Sequence, residues 1–559
     1  MRGSERNIRW IFLLVLLVLT AGTLSACSSG TGTKDGQTVQ TEMDFAALKG
    51  FSGTSGFLTA IEDEPDTVDF QCTTIHYTIA QNVFNRLVEM ENDENGNAQI
   101  LPSLAQSWEI SPDRRTYTFH LRKGVTFSNG SALTSSDVLY TFRRLLTYPL
   151  SCNRDIADEI VGAALLEEGK TEELKGFRII NDLDFSITLE NPFEAFLACL
   201  SMPGASILDE GTTRQAENRF GQDAEWTVGT GPFILKEWVR GYGMLLTANP
   251  HCWQGPPKCA GLNLLFVTDP EEARVRFDDG ELDILNLDDV GNSAEFYFHG
   301  DIYQDRPFFA HRISTTYIAL NESMEPLNDV RVRKALQLAL NREVLLDAAY
   351  SGRGIQVNGI MPEGLYGYNP DLPGIPYDPE EAKRLLKEAG LEDGFSMLFH
   401  ISSASSMKEL NLINTAVSMW EKIGVHAQPL VVDESVFMRL RKRGELACYL
   451  ATWTADYNDP DTFFYTFFGN EENTTFRSLC YPKEDVMERV RAARTIADSD
   501  ERIAEYQDLE KQIAQEDAAW IPLFSREYCY VTSKRLKGIQ ASWNGSVKNR
   551  YREMSVQEQ

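Results

Sequence analysis

The sequence predicts an α/β protein with more than one hydrophobic core. From 378 to 432 the chain reads as helix, strand, helix, strand, the order of a β-α-β unit. From 101 to 145 an alternating strand runs into an amphipathic helix. The 559 residues, 43% hydrophobic and 24% charged, can build two or more cores and have the balance of a folded chain.

The chain opens with Arg2, Arg6 and Arg9, an apolar block from Ile11 to Leu19, and Leu24-Ser25-Ala26-Cys27. A basic head, a short apolar core and small residues before the cut describe a secretory signal over 1–26. Leu-Ser-Ala-Cys resembles a bacterial lipobox, which implies lipidation at Cys27. No other run is long and apolar enough for a bilayer span, so a water-soluble body tied by lipid to the outer face of the bacterial cell membrane is expected. Residues 27–42, rich in Ser, Gly and Thr, would be a flexible tether with a reach of roughly 20 Å. The net charge of -29 argues against nucleic acid and anionic lipid as partners, and leaves a cationic or zwitterionic ligand open.

Eight cysteines follow Cys27: Cys72, Cys152, Cys199, Cys252, Cys259, Cys448, Cys480 and Cys529. Outside the cytoplasm some pairing is expected, but spacing does not say which. None falls into a metal-binding pattern, and neither metal nor cofactor is expected.

In the segment Leu101 to Phe127, alternation at Tyr117, Phe119 and Leu121 marks a strand with one buried face, after a turn at Ser111-Pro112-Asp113. Asn129-Gly130 turns the chain, and Ser136 or Thr134 can cap a helix carrying Val138, Leu139, Phe142 and Leu145 inward. Further on, Val228-Gly229-Thr230-Gly231-Pro232-Phe233 needs glycine for a backbone path that a side chain would block, and lacks the third glycine and the lysine of a nucleotide loop. After Asn328-Asp329-Val330, residues Ala335, Leu336, Ala339, Leu340, Val344 and Leu345 form one apolar helical stripe ending at Gly352. Asp378 caps the next helix, with Pro379 at its first position and Gly390 as its stop. A strand at Phe395 to Ile401, a helix from about Met407 to Ile423 and a strand at Val425 to Val432 follow. Trp520 to Phe524 reads as another buried strand.

The nine residues Trp453-Thr454-Ala455-Asp456-Tyr457-Asn458-Asp459-Pro460-Asp461 leave an apolar strand at Ala447 to Ala451. Ligands of open α/β sheets bind at such strand ends. An acid between two aromatic rings suits an ammonium group: Asp456 would take its charge, while Trp453 and Tyr457 cover it. A solvated surface turn is the alternative reading of the same residues.

As strings, the segment 101–127, Asn85-Arg86-Leu87-Val88-Glu89, the glycine-rich strand entry, Gly280-Glu281-Leu282-Asp283-Ile284 and the segment from Asn328 resemble the extracytoplasmic solute-binding proteins of peptide and nickel ABC importers. The resemblance implies a two-lobed periplasmic-binding-protein-like fold (type II, cluster C) with an extra subdomain inserted in the first lobe. The first lobe would comprise 43–78, 193–310 and 528–559, the inserted subdomain 79–192, and the second lobe 311–527. It further implies hinge closure on a short peptide and delivery to an ABC permease and ATPase complex by a monomer. Asp456 would hold the ligand's α-ammonium and Trp453 would line the cleft. Backbone groups of Thr454 and Ala455, and of a first-lobe loop with Cys72 and Thr73, would grip the peptide as a strand does.

The chain departs from the family at one point. Dipeptide binders place a carboxylate-binding arginine after the strand matching Phe395 to Ile401, where this chain reads Ser402-Ser403-Ala404-Ser405-Ser406-Met407-Lys408. Lys408 can substitute, or can be a solvated lysine at the start of its helix. Oligopeptides are therefore expected over dipeptides. Nickel complexes, haem, opines and sugars remain alternatives, although no histidine pair stands near Asp456. A remoter one is a serine hydrolase built on Ser405 and Lys408, a Ser-x-x-Lys pattern without the Lys-Thr-Gly strand that such enzymes need.

Overall fold

The computed structural model describes residues 55–94, 96–288, 290, 294–299 and 307–557. The signal segment, Cys27 and the tether lie outside the described residues.

Three sheets organise the body. The first has seven strands, in the order Pro307–His311, Glu527–Thr532, Ile284–Asn286, Phe57–Ile61, Gly261–Leu265, Gly243–Ala248 and Phe233–Val239. The second has six, in the order Ile355–Gln356, Trp520–Ser525, Ser314–Leu320, Cys448–Thr454, Phe395–Ser402 and Val425–Val432. The four-stranded third sheet, Ala105–Ile110, Thr116–Leu121, Asp184–Thr188 and Phe177–Ile179, belongs to the inserted subdomain. Together they make a two-lobed α/β molecule with an extra subdomain.

Local chemistry explains the elements. In Thr116–Leu121 the residues Tyr117, Phe119 and Leu121 are buried and their neighbours are not, as the alternation requires. The following helix, Ser135–Thr147, begins at Thr134, whose backbone N–H and hydroxyl both donate to Asp137 at 2.8 Å. Asp378 caps Pro379–Glu388 by accepting the Glu381 N–H at 2.9 Å. Strand Phe395–Ser402 pairs in parallel with Val425–Val432 throughout, closing the expected β-α-β unit. Gly229 and Gly231 pass so close to Val83 that a Cβ would stand 2.0 Å from its carbonyl oxygen at the first position and 2.7 Å from its carbonyl carbon at the second.

Two expectations are corrected. The stripe from Ala335 to Leu345 is two helices, Val330–Leu338 and Arg342–Tyr350, because Asn341 caps the second by accepting the Val344 N–H. Val344 is consequently exposed. The packing also runs past the junctions expected at 79 and 192. Ile79 to Phe84 belong to the seven-stranded core, and Phe193 to Ile207 to the subdomain core.

Two segments join the lobes side by side. Strand 307–311 of the first sheet leads through Arg312 and Ile313 into strand 314–320 of the second, and strand 520–525 returns through Arg526 into 527–532. The segments are tied to each other: Arg312 N–H donates to Arg526 O at 3.1 Å, and the Ser525 hydroxyl to Arg312 O at 2.5 Å. Thr454 pairs with Ser314, so the loop carrying Asp456 leaves the second sheet beside this double connection.

Candidate functional site

Strand Cys448–Thr454 runs further than its apolar core suggested, which makes Trp453 and Thr454 its last members. Each residue of the loop that follows has a distinct fate. Ala455 is buried and its N–H donates to Ile313 O at 2.9 Å. Thr454 is laddered to Ser314, and its hydroxyl accepts from Arg312 at 3.2 and 3.0 Å. The Ala455 N–H is thus spent inside the protein, which corrects the expectation for that one backbone group.

Tyr457 is also corrected. It is 8% exposed and packs into the core of the inserted subdomain, with its hydroxyl donating to Asp461 at 2.9 Å. A ring so placed joins the lobes and leaves no face to cover a cation. Trp453 stays half-buried. Its indole N–H donates to Thr462 O at 3.0 Å, and the Arg477 guanidinium lies 4.5 Å from its ring centre.

Asp456 differs from every neighbour. Its side chain is exposed, and among the described residues it has no ion-pair partner. The Thr462 hydroxyl accepts its N–H at 3.2 Å and donates weakly to Oδ2 at 3.4 Å. Loss of hydration in the surrounding protein, and then the charge of Asp155, push this carboxyl up to about 7 against the pull of Arg477 and Thr462. Exposure together with such crowding is the condition of a group on the wall of a groove, open on one side only. The groups facing it come from the other lobe: Asp155 acts on Asp456, and Asp456 acts on Tyr77. Asp155 and Asp158 are themselves exposed and without ion pairs among the described residues, and incomplete hydration raises both, Asp158 to about 8.

The first-lobe loop expected opposite Asp456 is there, but its groups are spent on one another. The Thr73 hydroxyl bonds Ile75, and Thr73 O accepts from the Tyr77 hydroxyl at 2.7 Å and Asn153 Nδ2 at 2.8 Å. The Cys72 thiol donates to Asp69 at 3.2 Å. These residues shape the wall and leave Thr74 and Ile75 exposed on it.

Lys408 is neither solvated nor free. It pairs with Asp288 of the first lobe at 3.3 Å, and Asp288 also receives Arg526 at 3.1 Å. A cavity of about 220 Å³ lies between the lobes at this pair, lined among others by Asp288, Lys408, Tyr350, Arg353 and Glu527. Ser406 caps the helix that carries Lys408, with its hydroxyl accepting the Glu409 N–H at 3.3 Å and Glu409 returning to the Ser406 N–H, so the serine-rich stretch is a capping box.

Two lobes, a double connection and an accessible, unpaired acid between them define a binding protein that holds a solute in a cleft. The chain belongs to the bacterial extracellular solute-binding proteins, family 5, whose description "family 5 Middle" matches residues 99–475. Members of this family bind solutes for transport and are not enzymes, which removes the Ser-x-x-Lys reading. The chain is 29% identical over 460 residues to the dipeptide-binding protein of Escherichia coli, covering 78% of this chain and 82% of that one. It is 28% identical over 489 residues to haem-binding protein A of Haemophilus influenzae, covering 84% and 86%. Its fold is similar to that of the periplasmic binding protein DppA from Helicobacter pylori in complex with the peptide STSA, with a TM-score of 0.73 at 23% identity, covering 90% of this chain and 98% of that one.

Proposed function

We propose that this protein is the lipid-anchored, monomeric receptor of an ABC importer, which captures short peptides between its lobes and hands them to the membrane permease. Asp456 carries the reading: an ionisable, accessible acid in the cleft, with no ion pair among the described residues, is matched by a peptide's α-ammonium. The names of the relatives support it, since the Escherichia coli protein is a dipeptide binder and the Helicobacter pylori structure holds a peptide. The anchor would be Cys27 and the tether 27–42, with the body on the outer face of the cell membrane. Oligopeptides are preferred to dipeptides, because no arginine stands between Ser402 and Lys408 and Lys408 is engaged by Asp288, which leaves no fixed carboxylate anchor in that segment. Backbone bonds from the cleft walls would hold the rest of the peptide whatever its side chains.

Calorimetry with matched peptides tests this. Free-amine tripeptides to pentapeptides should bind, and their N-acetyl forms should bind weaker by about 2 kcal/mol or more, roughly thirtyfold. Equal affinity of the two forms, or binding of haem in place of any peptide, would overturn the reading.

A further inference from the structure

Eight cysteines allow many pairings, and the fold brings two of them together at the cleft wall. The Gln71 carbonyl oxygen accepts the Cys152 N–H at 2.9 Å and lies 3.6 Å from the Cys152 thiol, while Cys72 is the residue bonded to Gln71. Peptide geometry puts the Cys72 Cα about 3 Å and the Cys152 Cα about 4 Å from that shared oxygen. The two Cα atoms are thus held within about 7 Å, inside the reach of a disulfide. Both are free thiols, Cys72 half-buried and Cys152 exposed, whereas Cys199, Cys252, Cys259, Cys448 and Cys529 are buried.

We propose that Cys72 and Cys152 form a disulfide that staples together the two loops of the first-lobe wall facing Asp456. In the exchange, the Cys152 sulfur attacks a disulfide donor such as oxidised glutathione and releases one donor thiol. Cys72 then displaces the second, so two protein thiols become one disulfide and the donor leaves as two thiols. Burial first, and then Asp69, push the Cys72 thiol up to about 12, and burial raises Cys152 as well. Thiolates that form so reluctantly are poor leaving groups, so exchange is slow to start and the finished bond resists reduction.

The loops joined are those whose order matters to the cleft. Asn153 Nδ2 donates to Phe70 O at 2.9 Å and to Thr73 O, and its Oδ1 accepts from the Tyr77 hydroxyl at 3.1 Å. When the thiols are reduced, hydrogen bonds, the Asp69–Arg144 ion pair and the packing of Phe70 and Ile156 hold this wall. A covalent tie pre-organises it, which on the peptide-binding reading should tighten binding by about three- to tenfold.

The test treats the full-length protein with oxidised glutathione, blocks remaining thiols, digests it without reductant and maps the peptides by mass spectrometry. The expected product joins the Cys72 and Cys152 peptides, and Cys152→Ser should leave Cys72 blocked as a free thiol. Recovery of both cysteines singly blocked, or linkage of Cys72 to another cysteine, overturns the pairing. Peptide titration of the oxidised and reduced forms reads the role, and linkage without any change in affinity overturns the staple. Should neither form bind peptide, the ligand assignment fails while the map still judges the pairing.

Discussion

Within six residues the chain holds three carboxylates in two opposite conditions. Asp459 is buried and receives both guanidinium nitrogens of Arg502, at 2.8 and 2.6 Å. Asp461 is buried and meets Arg494 at 3.0 Å, Tyr457 at 2.9 Å and the Asp459 side chain through its own N–H. Arg494 continues across to Glu159 of the first lobe at 2.7 Å. Asp456 has only a weak hydroxyl contact and an open side. The paired acids fix the loop and join the lobes, so that Asp456 is held still with no ion pair among the described residues and only the weaker pull of Arg477. On the proposed function, a ligand's ammonium would complete that arrangement.

The sharpest way to break this contrast is to remove the partner of a paired acid. Arg502→Ala leaves Asp459 buried and unpaired, and should cost about 3–5 kcal/mol of stability in denaturant unfolding. A loss below about 1 kcal/mol would mean that Asp459 is solvated and that the contrast is false. The matching change at the open acid should act on the other property. Asp456→Asn should weaken peptide binding by about 2–5 kcal/mol in calorimetry, because it strands a desolvated ammonium, and leave the unfolding midpoint level or slightly higher. Unchanged affinity would return Asp456 to the surface.

Sequence reasoning reached the parts that depend on near neighbours. The cap at Asp378 and the parallel β-α-β unit each follow from residues within one turn or one strand, and the glycine at 229 signalled a close passage without naming Val83 as the neighbour. The break at Asn341 was legible too, since a capping residue stood inside the apolar stripe. The partners that decide the site were not. Lys408 meets Asp288 across 120 positions, and Arg494 meets Glu159 across 335. Tyr457 follows Asp456 immediately, yet it turns into the core of a subdomain built from residues hundreds of positions earlier. Such contacts are set by how lobes meet, and no local pattern records that.

Acidity sharpens the contrast further, because it should move stability and affinity in opposite directions. The Asp456 carboxyl stands near 7 in the folded protein, above its ordinary 3.8. An acid raised by folding takes up a proton more readily folded than unfolded, so its ionisation costs stability as pH rises from about 4 through 7. A peptide ammonium needs the ionised form. Lowering the pH from 7.5 to 5.5 should therefore relieve about half of the Asp456 penalty on the unliganded protein, the rest going only below about 4, and weaken peptide binding by up to about tenfold per unit below 7. Asp155 and Asp158 also titrate above their ordinary range, so the comparison is wild type against Asp456→Asn. Identical pH slopes of affinity in the two proteins would assign the effect elsewhere.

The smallest effect is expected at the second acid between the lobes. Asp288 has two cations, and Lys408→Ala leaves it paired with Arg526 at 3.1 Å. The lost pair is partly exposed, and such pairs contribute about 1 kcal/mol or less. Stability and peptide affinity should both shift by no more than that. The decisive form uses a peptide with a free C-terminal carboxylate and its amide. If Lys408 serves only Asp288, the ratio of their affinities is the same in wild type and variant. Should Lys408→Ala erase a preference for the free carboxylate, the lysine leaves Asp288 to clasp the ligand's far end, the cleft has a fixed length, and dipeptides replace longer peptides as the favoured cargo.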